Sequence, residues 1–535
     1  MRHERVARAE VNIGPFMTLL HELLDRSALR APESPALRYR GQSLTYAEVR
    51  DASIRLAAGL ERLGMQRADR IAVHLPNRPE AVLLALAASR IGAVFLPLNP
   101  ALRARQLAHV LKDSGARMLV TGGIVLSQLP PFLPIDPLDF VAVCDAPGEL
   151  PKALTMPVMQ VEQIAVDGEP RNKGCRESDL AALFYTSGST GLPKGVMLTH
   201  RNIVSGAESV AAYLGNTSAD RILVALPWSF DYGFNQITTA FQVGACAILT
   251  NYVSAAALIN EIHDEQATAL AGVPTMWMQL AAARWRESPP AHLRYITNSG
   301  GAFHPATIRH LQSLLPATRV FCMYGLTEAF RSSFLDPAQL TARMGSIGKA
   351  VPGQEIAIVN ERGEIAADDE LGELVHRGSF VSQGYWNDPV LTARRFRPWP
   401  GDPSKPGGHE LAVWSGDLAR RDADGFLWFV GRRDDQIKTS GVRVSPGEIE
   451  QVVMEVQGVE QCVAVGVPDE LLGQRIVLHV TAASEAGLAD RIREHCRRQL
   501  PNYATISEVV FETELPVTAT GKPDRARLIA GSSRR

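Results

Sequence analysis

Tyr185-Thr186-Ser187-Gly188-Ser189-Thr190-Gly191-Leu192-Pro193-Lys194-Gly195 is the stretch that decides how this 535-residue chain is built. It follows an apolar run, Leu180–Tyr185, that reads as a strand, and it packs four Ser/Thr hydroxyls, three Gly and one Lys into eleven positions. Gly lets the backbone come close to an anion, N–H groups and hydroxyls donate to phosphate oxygens, and Lys adds a positive charge. A Walker A loop ends in Gly-Lys-Ser/Thr. Here the order is Pro-Lys-Gly, which excludes a P-loop NTPase. A plain surface turn is the competing explanation, and turns seldom combine this hydroxyl density with a Lys.

Strands and helices alternate on both sides of this loop. Strand candidates before it are Ile71–Leu75, Ala93–Leu96, Met118–Val120 and Phe140–Val143; after it come Ile222–Leu226, Ala245–Leu249 and Tyr295–Thr297. Thr45-Tyr46-Ala47-Glu48 is a capping box, followed by Val49, Leu56, Leu60 and Leu63 at helical spacing. Asn77 reads as a helix cap with Pro79 in the first turn. Such alternation specifies βαβ units around largely parallel sheets. Periodicity fades between Asp145 and Ser178, which reads as a long surface connection, and Pro398 to Gly408, with four Pro and three Gly, reads as a loop. Glu373–Arg377 and Phe426–Val430 look like strands of a smaller β-rich unit. A last block begins near Asp434: Ser445-Pro446-Gly447-Glu448 caps a helix, and strands follow at Cys462–Val467 and Ile476–Val480. The expected fold class is α/β. A large N-terminal part of packed α/β subdomains plus the β-rich unit fills residues 1–431, and a small α+β domain fills residues 432–535.

Composition narrows the function classes. Hydrophobic residues at 46% and charged residues at 21% exclude a disordered or fibrous chain. A formal net charge of −2 argues against an electrostatic nucleic-acid or membrane partner. The six Cys, at 144, 175, 246, 322, 462 and 496, form no CxxC pair, so neither a disulfide frame nor a zinc site is expected. The start, MRHERVARAE, shows no signal-peptide pattern. The richest apolar run, Ala81 to Ala88, lies between Glu80 and Arg90, far short of the ~20 residues that span a bilayer. A soluble, cytoplasmic, multidomain protein is expected.

The Tyr185–Gly195 run resembles the phosphate loop of the acyl-adenylate-forming enzymes, which include acyl-CoA synthetases, peptide-synthetase adenylation domains and firefly luciferase. Further motifs follow in that superfamily's order. The resemblance implies that Thr186, Ser187, Gly188, Ser189, Thr190, Gly191 and Lys194 hold ATP phosphates. Tyr324-Gly325-Leu326-Thr327-Glu328 is similar to the Tyr-Gly-x-Thr-Glu segment, implying that Tyr324 stacks on adenine, with Gly325 beside it. Thr327 would contact the α-phosphate and Glu328 would help to hold Mg²⁺; a carboxylate suits a hard cation and an aromatic face suits a purine. Asn298-Ser299-Gly300-Gly301-Ala302 is similar to the adenine-side loop. Trp414-Ser415-Gly416-Asp417 is similar to the Gly-Asp pair whose Asp accepts from ribose hydroxyls. Gly431 to Gly441 resembles the hinge segment: Arg432 on ribose, Asp434 as pivot of a mobile C-terminal domain, and Lys438 and Gly441 at the tunnel for the incoming thiol. Thr520-Gly521-Lys522 resembles the mobile loop that carries the catalytic Lys. Lys522, Lys194, Thr327 and Glu328 form the implied catalytic set.

The implied reaction is ATP-dependent activation of a small carboxylic acid to an acyl-AMP, with Mg²⁺, followed by transfer to the thiol of CoA or of a carrier protein's phosphopantetheine. One segment departs from many acyl-CoA synthetases. Pro227-Trp228-Ser229-Phe230-Asp231-Tyr232-Gly233 puts Phe230 where a Pro-x-x-His-x-x-Gly pattern has His. Ser-Phe-Asp instead resembles amino-acid-activating domains, whose Asp binds an α-ammonium group, so Phe230, Asp231 and Asn298 are expected at the acid pocket and an amine-bearing acid is among the expected substrates. Asp231 as a structural cap of its turn is the alternative. The chain looks closest to the adenylate-forming ligases of exosortase clusters. Two other functions stay open: a stand-alone amino-acid adenylating enzyme that loads a carrier protein in trans, and a non-catalytic nucleotide-binding scaffold.

Overall fold

Short β-branched runs that end in polar loops build two large sheets. The computed structural model describes residues 19–128, 138–146, 154, 156–171, 174–187, 192–286, 289–301, 303, 305–401, 410–432, 436–444, 446–516 and 523–533. The first sheet has seven strands, in the order Val158–Gln160, Phe140–Val143, Met118–Thr121, Arg70–His74, Val94–Pro97, Leu180–Ser187 and Pro193–Thr199. All neighbours are parallel except the last pair, where Pro193–Thr199 returns antiparallel with Lys194 opposite Thr186. The quoted loop is therefore followed at once by a second strand, and Lys194 stands on it. The second sheet has nine strands, parallel through its centre: Lys349–Ala350, Ser333–Leu335, Arg319–Tyr324, Tyr295–Asn298, Ala269–Gly272, Arg221–Val224, Cys246–Leu249, Pro35–Tyr39 and Gln42–Thr45.

The helices Leu20–Arg30, Tyr46–Arg62, Pro79–Ile91, His200–Leu214 and Asp231–Val243 share one hydrophobic core with strands of both sheets. The capping box forms: Thr45 Oγ1 accepts from Glu48 N at 3.2 Å, and Glu48 Oε2 accepts from Thr45 N at 2.8 Å. Such a cap is worth about 1 kcal/mol. Asn77 does not cap the Pro79–Ile91 helix; Arg78 occupies that position. Asn77 is instead 2% exposed, and its amide nitrogen lies 3.0, 2.9 and 2.7 Å from the carbonyls of Val224, Leu226 and Thr250. Its Oδ1 accepts from Trp228 N at 2.8 Å. A buried amide needs such partners, and here they stitch one large sheet to the other.

The stretch from 145 to 178 is not wholly a connection. It contains the edge strand Val158–Gln160 and a short helix, Val161–Ile164, whose buried Val161 and Ile164 join the shared core. Apolar side chains too few to show periodicity still found a surface to cover.

A five-stranded antiparallel sheet follows: Gln354–Val359, Gly372–Gly378, Leu411–Arg421 and Phe396–Pro398, with Leu427–Arg432 added to Leu411–Arg421. Residues 402–408 of the expected loop lie outside the described residues. The last sheet uses only later residues: Val442–Val444, Ile437–Thr439, Gly473–Ala482 and Val459–Asp469, with Ile506–Phe511 parallel to Gly473–Ala482. Strand alternation gives it two apolar faces. Ala464, Ile476 and Leu478 pack on the helices Pro446–Val453 and Leu488–Gln499, while Val463, Val465 and Val477 pack on Leu528 of the Arg525–Ser532 helix. Among the described residues no helix is long and apolar enough to cross a membrane.

Candidate active site

A cavity of about 750 Å³ opens where the strands of both large sheets end, with the Ile437–Val444 hairpin on its far wall. Thr186, Lys194, Phe230, Asp231, Gly300, Gly325, Thr327, Glu328 and Gly441 all line it. Ligands of open α/β sheets bind at such strand ends. Tyr324, Asp417, Asn298 and Gly301 stand behind this wall rather than on it. The loop residues Gly188, Ser189, Thr190 and Gly191, as well as Ala302, Asp434 and Lys522, lie outside the described residues, as do the side chains of Ser187 and Arg432.

Each wall residue has a local cause. Tyr185 anchors the start of the Thr186 segment by donating its hydroxyl to Asp113 Oδ2 at 2.7 Å. Lys194 sits 3.8 Å from Asp388, and burial holds its ammonium below the usual lysine range, against the pull of that carboxylate. Glu328 Oε1 accepts from the Tyr385 hydroxyl at 2.6 Å, which fixes the carboxylate toward the cavity. Tyr324 donates its hydroxyl to Asp417 Oδ2 at 2.5 Å, and Arg443 of the hairpin approaches the same carboxylate at 3.6 Å. The Tyr324 ring stacks on His376, at 6.0 Å between centroids. Burial pushes the His376 imidazole down to about 4 despite the Asp417 charge, so it is neutral at physiological pH.

Asp231 is the first residue of the Asp231–Val243 helix, and its carboxylate already has a cation. Arg331 Nη1 donates to Oδ2 at 3.0 Å, and Thr327 Oγ1 donates to Oδ1 at 3.2 Å. The guanidinium is itself locked, donating to the Asp231 carbonyl at 3.1 Å, the Phe330 carbonyl at 2.7 Å and Asn235 Oδ1 at 3.2 Å. A tight turn aims it there: Phe330 has φ +49°, and Arg331 N donates back to the Ala329 carbonyl. Such a backbone costs about 1–3 kcal/mol. The buried Phe330 ring holds it in place by lying against Gly206, where a Cβ would come within 2.4 Å of the ring.

The hairpin tip is equally close. Ser440 and Gly441 both have positive φ, +52° and +77°, as a two-residue hairpin turn requires. A Cβ at Gly441 would sit 2.8 Å from Val273. Lys438 is not on the cavity wall; its ammonium lies 4.4 Å from the Phe429 ring centroid. Three polar contacts hold the C-terminal unit against the Ala104–Ser114 helix region: Arg103 to Asn502 at 2.7 Å, Arg105 to Glu455, and Gln106 to Glu448.

Residues 24–386 match the AMP-binding enzyme family, and residues 448–522 match the AMP-binding enzyme C-terminal domain. The chain belongs to the AMP-binding enzyme family. It is 33% identical over 504 residues to a feruloyl-CoA synthase of Amycolatopsis sp, covering 93% of this chain and 96% of that one. It is 28% identical to a long-chain-fatty-acid–CoA ligase of Bacillus subtilis, covering 95% and 94%. Among solved structures it is similar to an o-succinylbenzoate CoA synthetase from Bacillus subtilis carrying a product analogue, with a TM-score of 0.81 and 26% identity over 95% of this chain and 98% of that one.

This AMP-binding enzyme is an AMP-forming acid–thiol ligase of the acyl-CoA synthetase type: it makes an acyl-AMP from a carboxylic acid and ATP, then an acyl thioester. Its reaction uses ATP, Mg²⁺ and a thiol acceptor. The donor set fits the ion. Mg²⁺ takes one or two carboxylates and fills its shell with phosphate and water, and Glu328 offers one carboxylate to the cavity while Asp231 is engaged by Arg331. With ATP, the ion would neutralise phosphate charge there. Sequence reasoning gave no role to Arg331, Tyr385 or Arg443. Arg331 stands three residues after Glu328 and could have been suspected, whereas nothing local marks Tyr385 or Arg443.

Proposed function

We propose that this ligase activates a compact carboxylic acid without an amine, of the aryl or arylalkenoic type, and passes it to CoA. The observation that carries this is the Asp231–Arg331 pair. An ammonium-bearing substrate would have to displace a guanidinium held by four hydrogen bonds at 2.7–3.2 Å. With Asp231 already paired, the acid pocket offers no spare negative charge there. The similarity to feruloyl-CoA synthase along nearly the whole of both chains supports an aryl acid and CoA. A carrier-protein phosphopantetheine in trans is the alternative acceptor, and a cytoplasmic location suits either.

In this proposal the Thr186–Gly191 segment and Lys194 cradle ATP phosphates, Tyr324, Gly300, Gly301 and Ala302 bound the adenine, and Asp417 and Arg432 hold ribose. Thr327 faces the α-phosphate, Glu328 holds Mg²⁺, and Lys522 donates to the adenylation transition state. Residues 1–431 and 432–535 act as two bodies pivoting near Asp434. The arrangement with Gly441 on the cavity wall suits thioester formation, and the opposite one would bring in Lys522. Rotation of a small domain is an ordinary way to sequence two half-reactions. The test is pyrophosphate release across aryl, fatty and amino acids, each active acid then being offered CoA or a loaded carrier. Aryl acids with CoA are the expected pair; release with amino acids alone would refute the proposal.

A further inference from the structure

Thr186 and Lys194 face each other across their antiparallel strand pair, and the residues just before them, Tyr185 and Pro193, are both held from one helix. His109 and Asp113, four apart and so on one face of the Ala104–Ser114 helix, hold them. His109 Nε2 donates to the Pro193 carbonyl at 3.0 Å, and Asp113 Oδ2 accepts from the Tyr185 hydroxyl at 2.7 Å. Burial and the Asp113 carboxylate push that hydroxyl well above the usual tyrosine range, so it stays a donor. The Asp113 carbonyl is among the last four of its helix, which have no intrahelical partner. It accepts from Trp386 Nε1 at 3.1 Å and from Asn387 Nδ2 at 2.8 Å. That segment reaches the other phosphate-side groups: Trp386 N donates to the Gly195 carbonyl at 2.8 Å, Tyr385 donates to Glu328, and Asp388 faces Lys194. Gly195 lies pinched in between, since a Cβ there would come within 3.0 Å of the Tyr185 ring and 3.3 Å of Trp386. Neither His109 nor Asp113 lines the main cavity.

We propose that Asp113, with His109 beside it, is a positioning residue for the phosphates of ATP: from outside the cavity it sets where Thr186, Lys194 and Glu328 stand. This rests on the assignment of the main cavity as the ATP site. A hydroxyl, an ammonium and a carboxylate can serve one triphosphate together only if their spacing matches its oxygens, and small misplacements are costly. Through Tyr185, Asp113 fixes the strand on which Thr186 stands. Through Trp386 and Asn387 it fixes the segment whose neighbours hold Glu328 and face Lys194. Without the Asp113 carboxylate the Tyr185 hydroxyl loses its acceptor, the ring is released against Gly195, and Thr186 and Lys194 lose their common frame. The nucleoside side is built separately, with Tyr324 donating to Asp417 and Arg443 close to the same carboxylate. The loss therefore falls on the phosphates and spares the nucleoside.

The experiment is equilibrium binding of MgATP and, separately, of adenosine to the full-length enzyme. Asp113→Ala weakens MgATP binding about five- to tenfold, the equivalent of one hydrogen bond, and leaves adenosine binding unchanged. Asp113→Asn, which keeps an acceptor for the Tyr185 hydroxyl, restores MgATP binding. His109→Ala shows the same selective loss, and His109→Gln, which keeps a donor for the Pro193 carbonyl, does not. If Asp113→Ala does not fold, Tyr185→Phe removes the same hydrogen bond and carries the same expectation. A folded Asp113→Ala variant that binds both ligands as wild type does, or that loses both alike, overturns the positioning role. Wild-type enzyme that binds neither ligand instead overturns the assignment of the cavity, so the two failures are distinguishable.

Discussion

Replacing Arg331 by Met keeps much of the side chain's length and removes its charge. The Arg331 and Asp231 side chains are 5% and 15% exposed, so water screens their pairing little. Unit charges about 4 Å apart at an effective dielectric of about 20 are worth about 4 kcal/mol. That agrees with the ~3–5 kcal/mol lost when one partner of a buried pair is removed and the other charge is stranded. Arg331→Met should therefore destabilise the N-terminal part by about 3–5 kcal/mol, and Asp231→Asn by a comparable amount. The double variant strands no charge, so its loss should fall short of the sum by about 1–3 kcal/mol. Urea unfolding of the four proteins measures this cycle. A second consequence is chemical: with its cation gone, Asp231 becomes a partner for a substrate ammonium. In Arg331→Met, kcat/KM for an amine-bearing acid should rise relative to its neutral isostere. Single effects that simply add, together with an unchanged ranking of the two acids, would refute the pairing as the reason the pocket takes acids without amines.

Two further outcomes are expected. Lys522→Ala should slow acyl-AMP formation about 10²–10³-fold, the usual loss for one preorganised donor, while sparing thioester formation from supplied acyl-AMP; equal damage to both half-reactions would contradict the two-body alternation. Stability should fall on acidification, because burial holds His74, His200 and His376 each near 4, against 6.5 unfolded. Below pH 6.5 the unfolded chain takes up protons that the folded one refuses until about pH 4, so each histidine removes up to about 1.4 kcal/mol per pH unit across that window; urea midpoints that match at pH 7.5 and 5.5 would contradict this.

Much of the site could be read from sequence because its parts are local. The strand that leads into Thr186, the Thr327-Glu328 pair on the cavity wall and the Thr45 capping box each owe their form to residues adjacent in the chain. What escaped depends on distance along the chain. Asn77 has the look of a cap, but its partners at Val224, Leu226 and Thr250 lie far away, and a buried amide group ringed by three carbonyl acceptors outweighs a local cap signal. Asp231 suggested a substrate ammonium because Arg331, 100 residues later, could not be placed beside it before the chain was folded. Val158–Gln160 hid in a Pro- and Gly-rich stretch because an edge strand of three residues carries almost no periodicity. Tyr385 reaches Glu328 across 57 residues, and no local pattern announces it.

The apolar interior of the C-terminal unit contains, among the described residues, nothing before Ile437. Its folding information is therefore its own, and its ties to the rest of the described chain include the three side chains Arg103, Arg105 and Gln106. A unit built this way is a transplantable part. Evolution, or an engineer, can exchange the last hundred or so residues between relatives by keeping those three positions, together with the Arg443–Asp417 and Gly441–Val273 contacts, compatible. The hairpin that carries Gly441 can then be changed without touching the Asp231–Arg331 pair elsewhere on the cavity wall.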